Sequence, residues 1–306
     1  MKSLLKIGIT LMLLTLIFRH IDFSAVLATM RRIDGTYLVL ALGIQLLSTI
    51  LASYRWFMIM QVLHFGQDFA FYLKSYFKGM FFNQGLPTTL GGDALRALDV
   101  AKLGHRKRDA FYGVLIDRVA GLFSLLVLNL AANISSSELL PKPVFSALTA
   151  ITLVGIPAII ALGFAGQLHF LQKLWGANLV HELSTRIQRV FNSASRFSGH
   201  LGLGIVIHLL SILAMYFIGT GMNVGQSLLT FLVIVPPVIL LTIVPVSIAG
   251  WGVREGAMIG LFAMVGADKT VVLSMSILYG LSVLITSLPG LYFYWVVQHK
   301  AQEMAP

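Results

Sequence analysis

Two arginines sit where a glycine-rich break hands over to a new helix, and they are the residues best placed to do chemistry. Arg96 closes the stretch Pro87-Thr88-Thr89-Leu90-Gly91-Gly92-Asp93-Ala94-Leu95-Arg96, and Arg254 closes Pro245-Val246-Ser247-Ile248-Ala249-Gly250-Trp251-Gly252-Val253-Arg254. Laid over one another without a gap, the two share the proline, Gly92 with Gly250, and the final arginine. The hydroxyl residues Thr89 and Ser247 also align. A helix that starts after such a break presents unpaired N–H groups and a positive dipole end, which attract phosphate or carboxylate. A guanidinium one turn further on adds a forked donor matched to phosphate. Gly92 and Gly250 would let backbone approach a ligand, Asp93 could cap the first helix, and Glu255 stands beside Arg254 as a local partner. The alternative is that both arginines are orientation anchors at headgroup level, or that Arg254 and Glu255 form a purely structural pair. An arginine at the centre of a membrane costs roughly 2.5–3.5 kcal/mol on insertion scales, which favours partners or a task for Arg254.

Three further polar sites interrupt the apolar chain. Asp117-Arg118 lies in the first turns of a long apolar run, where a buried ion pair or a headgroup contact are equal readings. Asn83 and Gln84 precede the first break and suit either a cavity wall or hydrogen bonds between helices. His208 is a lone histidine in an apolar run, better read as packed than as functional. There is no Gly-Lys-Ser/Thr phosphate loop, no His-Glu-x-x-His and no cysteine. ATP hydrolysis by that loop, zinc proteolysis, thiolate metal sites and a cysteine nucleophile are thereby excluded. No catalytic residue, metal or cofactor is expected.

These residues must be positioned by membrane helices. Hydrophobic residues make up 57% of the 306 and charged residues 11%, against about 25% charged in a soluble domain. The mean hydropathy is +0.86, so this is an integral membrane protein. A net charge of +10 fits a positive-inside bias and attraction to anionic headgroups, and no soluble domain is available to bind nucleic acid. Lys2 and Lys6 followed by Ile7 to Phe18 resemble a signal peptide, but no small-x-small cleavage site follows. A retained first helix is expected.

Spans of about 20 apolar residues fall at Lys6 to Phe18, Tyr37 to Tyr54, Phe111 to Ala132, Pro143 to Phe164, Leu201 to Gly221 and Thr270 to Val297. Arg55 and Trp56 end the second as an interfacial anchor pair. Phe69 to Leu90 and Leu228 to Val265 are broken elements, re-entrant or fully spanning, because irregular backbone at depth must be shielded by protein or line a cavity. Residues 167–200 are too polar to cross, and their apolar positions recur at helical spacing, as in an interfacial helix. The expected fold is an all-α polytopic helical bundle, a single transmembrane domain with about six full spans and two broken elements. Half-repeats at about 1–135 and 140–300 would be related by inversion, with the breaks meeting near the midplane. The positive-inside rule places the basic stretch Asp93 to Asp109, residues 167–200 and both termini in the cytoplasm. Arg19, Arg31 and Arg32 then fall outside, against the bias.

Taken in order, Asn83-x-x-x-Pro87, Gly91-Gly92-Asp93-x-x-Arg96, Asp117-Arg118-x-x-Gly121-Leu122 and Pro245-x-Ser247-x-x-Gly250-x-Gly252-x-Arg254-Glu255 resemble the lysylphosphatidylglycerol synthase transmembrane-region family of flippase-like proteins. The resemblance runs from about Leu38 to Val297. The family commonly has Glu-Arg where this chain has Asp117-Arg118, which keeps the charge. The resemblance implies lipid handling in the inner (plasma) membrane: translocation of an anionic or aminoacylated phospholipid, or of a polyprenyl-linked intermediate. The headgroup would meet Arg96, Arg254, Asp93, Glu255, Asn83, Asp117, Arg118, Ser247, Gly92 and Gly250. The synthase activity belongs to a soluble domain for which no sequence is present before Pro306, so it is not implied. A membrane-embedded transferase on a lipid carrier, or a scaffold of a lipid or glycan synthesis pathway, are the rival classes. A homo-oligomer is left open.

Overall fold

The computed structural model describes residues 2–85, 91–168, 177–244 and 246–295, and among them every regular element is helical. Pro87, Thr88, Thr89 and Leu90 of the first motif and Pro245 of the second lie outside the described residues, as does residue 169–176 of the polar segment.

The chain runs through α1 (Lys2–His20), α2 (Phe23–Arg31), α3 (Gly35–Val62), α4 (Phe69–Gly85), α5 (Gly91–Ala101) and α6 (Lys107–Ser135). It continues through α7 (Lys142–Phe164), a 3-10 turn (Ala165–Gln167), α8 (Ala177–Val190), α9 (Ala194–Gly221), α10 (Leu228–Ile243), α11 (Val253–Ala263) and α12 (Lys269–Ser287). Among the described residues, five helices are long and apolar enough to cross a membrane: Gly35–Val62, Lys107–Ser135, Lys142–Gln167, Ala194–Gly221 and Lys269–Trp295. The expected total of about six spans is reached by adding α1, whose shorter apolar stretch is Lys6–Ile17. Its 19 residues rise about 28 Å, close to the ~30 Å hydrocarbon core. The protein is a multi-pass α-helical membrane protein.

Helix lengths recur along the chain. The series α3 to α6 has 28, 17, 11 and 29 residues, and α9 to α11 follow with 28, 16 and 11. The long helices α3 and α9 pack along each other through small and hydroxyl residues. Ser48 donates to the Ile207 carbonyl at 3.0 Å and lies 3.1 Å from the Ser211 hydroxyl. Between apolar helices in lipid, close packing and such hydrogen bonds replace the hydrophobic drive that operates in water.

Two expectations are corrected here. Arg55 and Trp56 do not anchor α3 at an interface, because the helix continues to Val62 and both residues are buried. The polar segment is also shorter than residues 167–200. Ser193 caps a new helix by accepting from the Arg196 N–H at 3.3 Å, so Ala194 to His200 belong to α9. What remains, α8, is tied to the start of α6 by Arg186–Asp109 at 2.5 Å and Arg108–Glu182 at 2.7 Å. The two most basic segments of the chain therefore lie on one face.

Candidate functional site

The first arginine belongs to a buried network drawn from three helices. Arg96 on α5 donates from Nη1 to Asp93 Oδ1 at 3.1 Å and from Nη2 to Asp117 Oδ2 at 2.8 Å on α6. Arg55 on α3 donates from Nε to Asp117 Oδ1 at 2.9 Å and from Nη2 to the Asp117 carbonyl at 3.1 Å. Arg118 pairs with Asp93 Oδ2. Arg55, Arg96 and Asp93 are 5%, 5% and 3% exposed, and Asp117 is 2% exposed. Charges so far out of water persist only when paired and hydrogen-bonded. The Arg96 guanidinium is further held between two rings, 4.1 Å from the Trp56 centroid and 4.4 Å from that of Tyr76, a cation–π sandwich that replaces part of its lost hydration.

The break that precedes this network is built by close approach. A Cβ on Gly92 would stand 1.8 Å from the Gly79 carbonyl oxygen, so α4 and α5 touch backbone to backbone. Asn83 on α4 accepts from the Gly92 N–H at 2.8 Å and so caps α5 from across the contact. Asp93 is not the cap. It lies inside the first turn of α5 and faces the arginines.

The second arginine is neutralised by its neighbour. Arg254 donates from Nε and Nη2 to Glu255 Oε1 at 3.0 and 2.7 Å. Ser276 of α12 donates to the same oxygen at 3.1 Å. The other carboxylate oxygen accepts from the Gly252 N–H at 2.6 Å, so Glu255 caps the start of its own helix α11. Gly250 and Gly252 have φ of 79° and 84°, a left-handed backbone that glycine adopts without strain. Across from them Gly280 leaves room for the guanidinium, since a Cβ there would stand 2.3 Å from Arg254 Nη2. Trp251 lies under the Arg254 guanidinium at 4.7 Å. The Ser247 hydroxyl is buried without a hydrogen-bond partner among the described residues.

The last turns of α4 before the first break, and the second break itself, border one cavity of about 310 Å³. Tyr76, Met80 and Gln84 bring α4 to its wall from just before the first break, while Ala249 and Arg254 bring the second break. Gln45, Ser48 and Thr49 of α3 and His208 and Ser211 of α9 complete a lining that is polar for a membrane interior. Arg96 lies directly behind Tyr76, one ring away from this space. Of the residues expected at a site, Arg254 lines the cavity. Arg96, Asp93, Asp117 and Arg118 gather behind it, and Asn83, Gly92, Gly250, Glu255 and Ser247 shape or cap the two breaks. Gln84 and His208 both reach the wall, His208 while its Nε2 is held 3.0 Å from the Gly121 carbonyl. Arg55 is the residue that sequence reasoning missed as a site member. Ser48, Ala52, Arg55 and Ile59 follow one helical stripe of α3 residues that are buried among neighbours, and that spacing was the available signal.

A polytopic helical bundle with paired breaks around a polar cavity is the class that the fold and the cavity define. Within it, the chain belongs to the lysylphosphatidylglycerol synthase TM-region family, which it matches over residues 3–290. It is also similar to a curated UPF0104 membrane protein of Methanocaldococcus jannaschii, with 27% identity over 120 residues. That match covers 39% of this chain and 36% of the relative, so the chain aligns with about a third of the relative's length.

Proposed function

We propose that the protein translocates a lipid between leaflets, its cargo an anionic or aminoacylated phospholipid or a polyprenyl-linked intermediate. The observation that carries this reading is that α4, just before the first break, and the second break with Arg254 line one cavity that also holds Gln45, Ser48, Thr49, Gln84, His208 and Ser211. The headgroup would occupy that cavity against Arg254 and the hydroxyl and amide groups of α3, α4 and α9, with Arg96 adding its charge from behind Tyr76. Acyl chains would remain in the bilayer. Broken helices with their ends and flanking cations at a central cavity are the arrangement that transport sites in membranes use. The repeated helix lengths support two halves of about 1–135 and 140–300 related by inversion. The positive-inside rule, applied to the basic face formed by α8 and the start of α6, favours cytoplasmic termini, and an inner-membrane location is part of the same proposal.

The absence of cysteine makes the test direct. A single Ser211→Cys in full-length protein should react with a small, water-soluble thiol reagent, and phosphatidylglycerol or lysyl-phosphatidylglycerol should slow that reaction more than phosphatidylcholine does. Labelling that is absent, or that ignores the lipid headgroup, would contradict the reading. A product formed from a lipid carrier in detergent, where leaflets do not exist, would favour the transferase instead.

A further inference from the structure

A second apolar cavity, of about 340 Å³, lies between α6, α7, α8 and α9 and shares no lining residue with the first. Phe123, Ile160, Gly163, Ile187 and Phe191 form its walls. Apolar walls of this kind hold water poorly, while a chain of methylenes fills them at a gain for each group removed from water. Nothing in the central network uses this space.

Two observations say what fills it. His200 lines one end, is 5% exposed, and has no hydrogen-bond partner at Nδ1 among the described residues. A buried ring nitrogen without a partner is costly, and one placed against an apolar cavity fits a ligand that is apolar along its length and polar at one end. Two arginines adjoin lining residues in the chain: Arg189 follows Gln188 and Arg196 precedes Phe197; both are exposed, and neither forms an ion pair among the described residues. The Arg196 side chain reaches the backbone that carries Arg189, where its Nη1 donates to the Arg189 carbonyl at 3.5 Å and to Asn192 Oδ1 at 3.1 Å. The helix α8 that carries Arg189 places Leu183, Ile187 and Val190 on its buried side, as a helix lying along a membrane surface does.

We infer that this cavity is a second lipid site, which takes one acyl chain of an anionic phospholipid, with the phosphate between Arg189 and Arg196 and a polar linkage group against His200. The site stands apart from the cargo reading, because it is built from different helices and would hold its lipid whether or not the central cavity transports one.

The test uses full-length protein in nanodiscs with phosphatidylglycerol that bears a photoreactive group on its acyl chain, diluted into phosphatidylcholine. Cross-links should concentrate on peptides containing Phe123, Ile160 and Phe191. Phosphatidylglycerol should compete about tenfold better than phosphatidylcholine, as expected where two arginines favour a net-anionic headgroup over one whose phosphate is offset by choline. Ile160→Trp fills the cavity from a half-exposed position and should abolish the cross-link. Arg189→Ala with Arg196→Ala, which alters only exposed side chains, should erase the headgroup preference while leaving the melting temperature in detergent unchanged. Cross-linking that merely follows the bulk lipid fraction and survives both variants would overturn the site. If Ile160→Trp does not fold, the double arginine variant decides alone.

Discussion

The two arginine motifs look like copies in the sequence and are neutralised in opposite ways. Arg254 meets the carboxylate of the next residue, and the same carboxylate caps the helix that both occupy, so the second motif is electrically self-contained. Arg96 shares Asp93 on its own helix but also Asp117 on α6, which Arg55 of α3 approaches from the other side. One break is thus a local device that can move with its helix, while the other is riveted into the bundle by long-range pairs. If the protein translocates lipid as proposed, the self-contained break is the one free to shift without separating buried charges.

Removing Asp117 should widen this contrast most. Asp117→Ala leaves Arg55 and Arg96 buried without their shared carboxylate, and breaking a buried pair costs about 3–5 kcal/mol. Thermal denaturation in detergent should show the variant unfolding far below wild type, and more severely than Glu255→Ala, which strands one arginine. Next comes backbone contact. Gly92→Ala drives a Cβ into the Gly79 carbonyl and should destabilise by about 1–3 kcal/mol or more. Gly256→Ala on α11, where a Cβ meets nothing within 4 Å, should leave the melting temperature equal or higher.

A double-mutant cycle sharpens the second site. Arg254→Gln and Glu255→Gln together should lose less stability than the two single losses added, with a coupling of about 0.5–3 kcal/mol, because each single variant strands the other charge. The smallest effect is at the cross-helix cap. Asn83→Ala should cost about 1 kcal/mol by freeing the Gly92 N–H, read as a modest drop in melting temperature with the central cavity still accessible to the thiol reagent.

Much of the fold was legible because composition and span length leave a chain this apolar few options. The breaks were legible because proline and glycine cannot continue a helix ladder without consequence. The reach of each charge was not. Asp93 and Arg96 stand at i,i+3 on one helix, a spacing that pairs them, but nothing in the spacing says that Asp117 and Arg118 meet them, since that depends on how α5 folds back on α6. Arg55 was misread because an arginine followed by tryptophan at the end of an apolar run fits an interfacial anchor. Only the stripe it shares with Ser48, Ala52 and Ile59 marks it as inward-facing. Asn83 and Glu255 were expected at a ligand, and their hydrogen bonds to the Gly92 and Gly252 N–H groups add a capping role that requires knowing where each helix begins.

The most direct test of the central claim is a leaflet-resolved assay in liposomes that follows labelled phosphatidylglycerol, lysyl-phosphatidylglycerol and a polyprenyl phosphate. Wild type would be compared with the charge-free pair Arg254→Gln and Glu255→Gln, shown to be folded by its melting curve. Movement of at least one of these lipids that disappears in the double variant is the predicted result. Equal movement by both proteins, or none by the wild type, would contradict the assignment of the central cavity to a lipid headgroup.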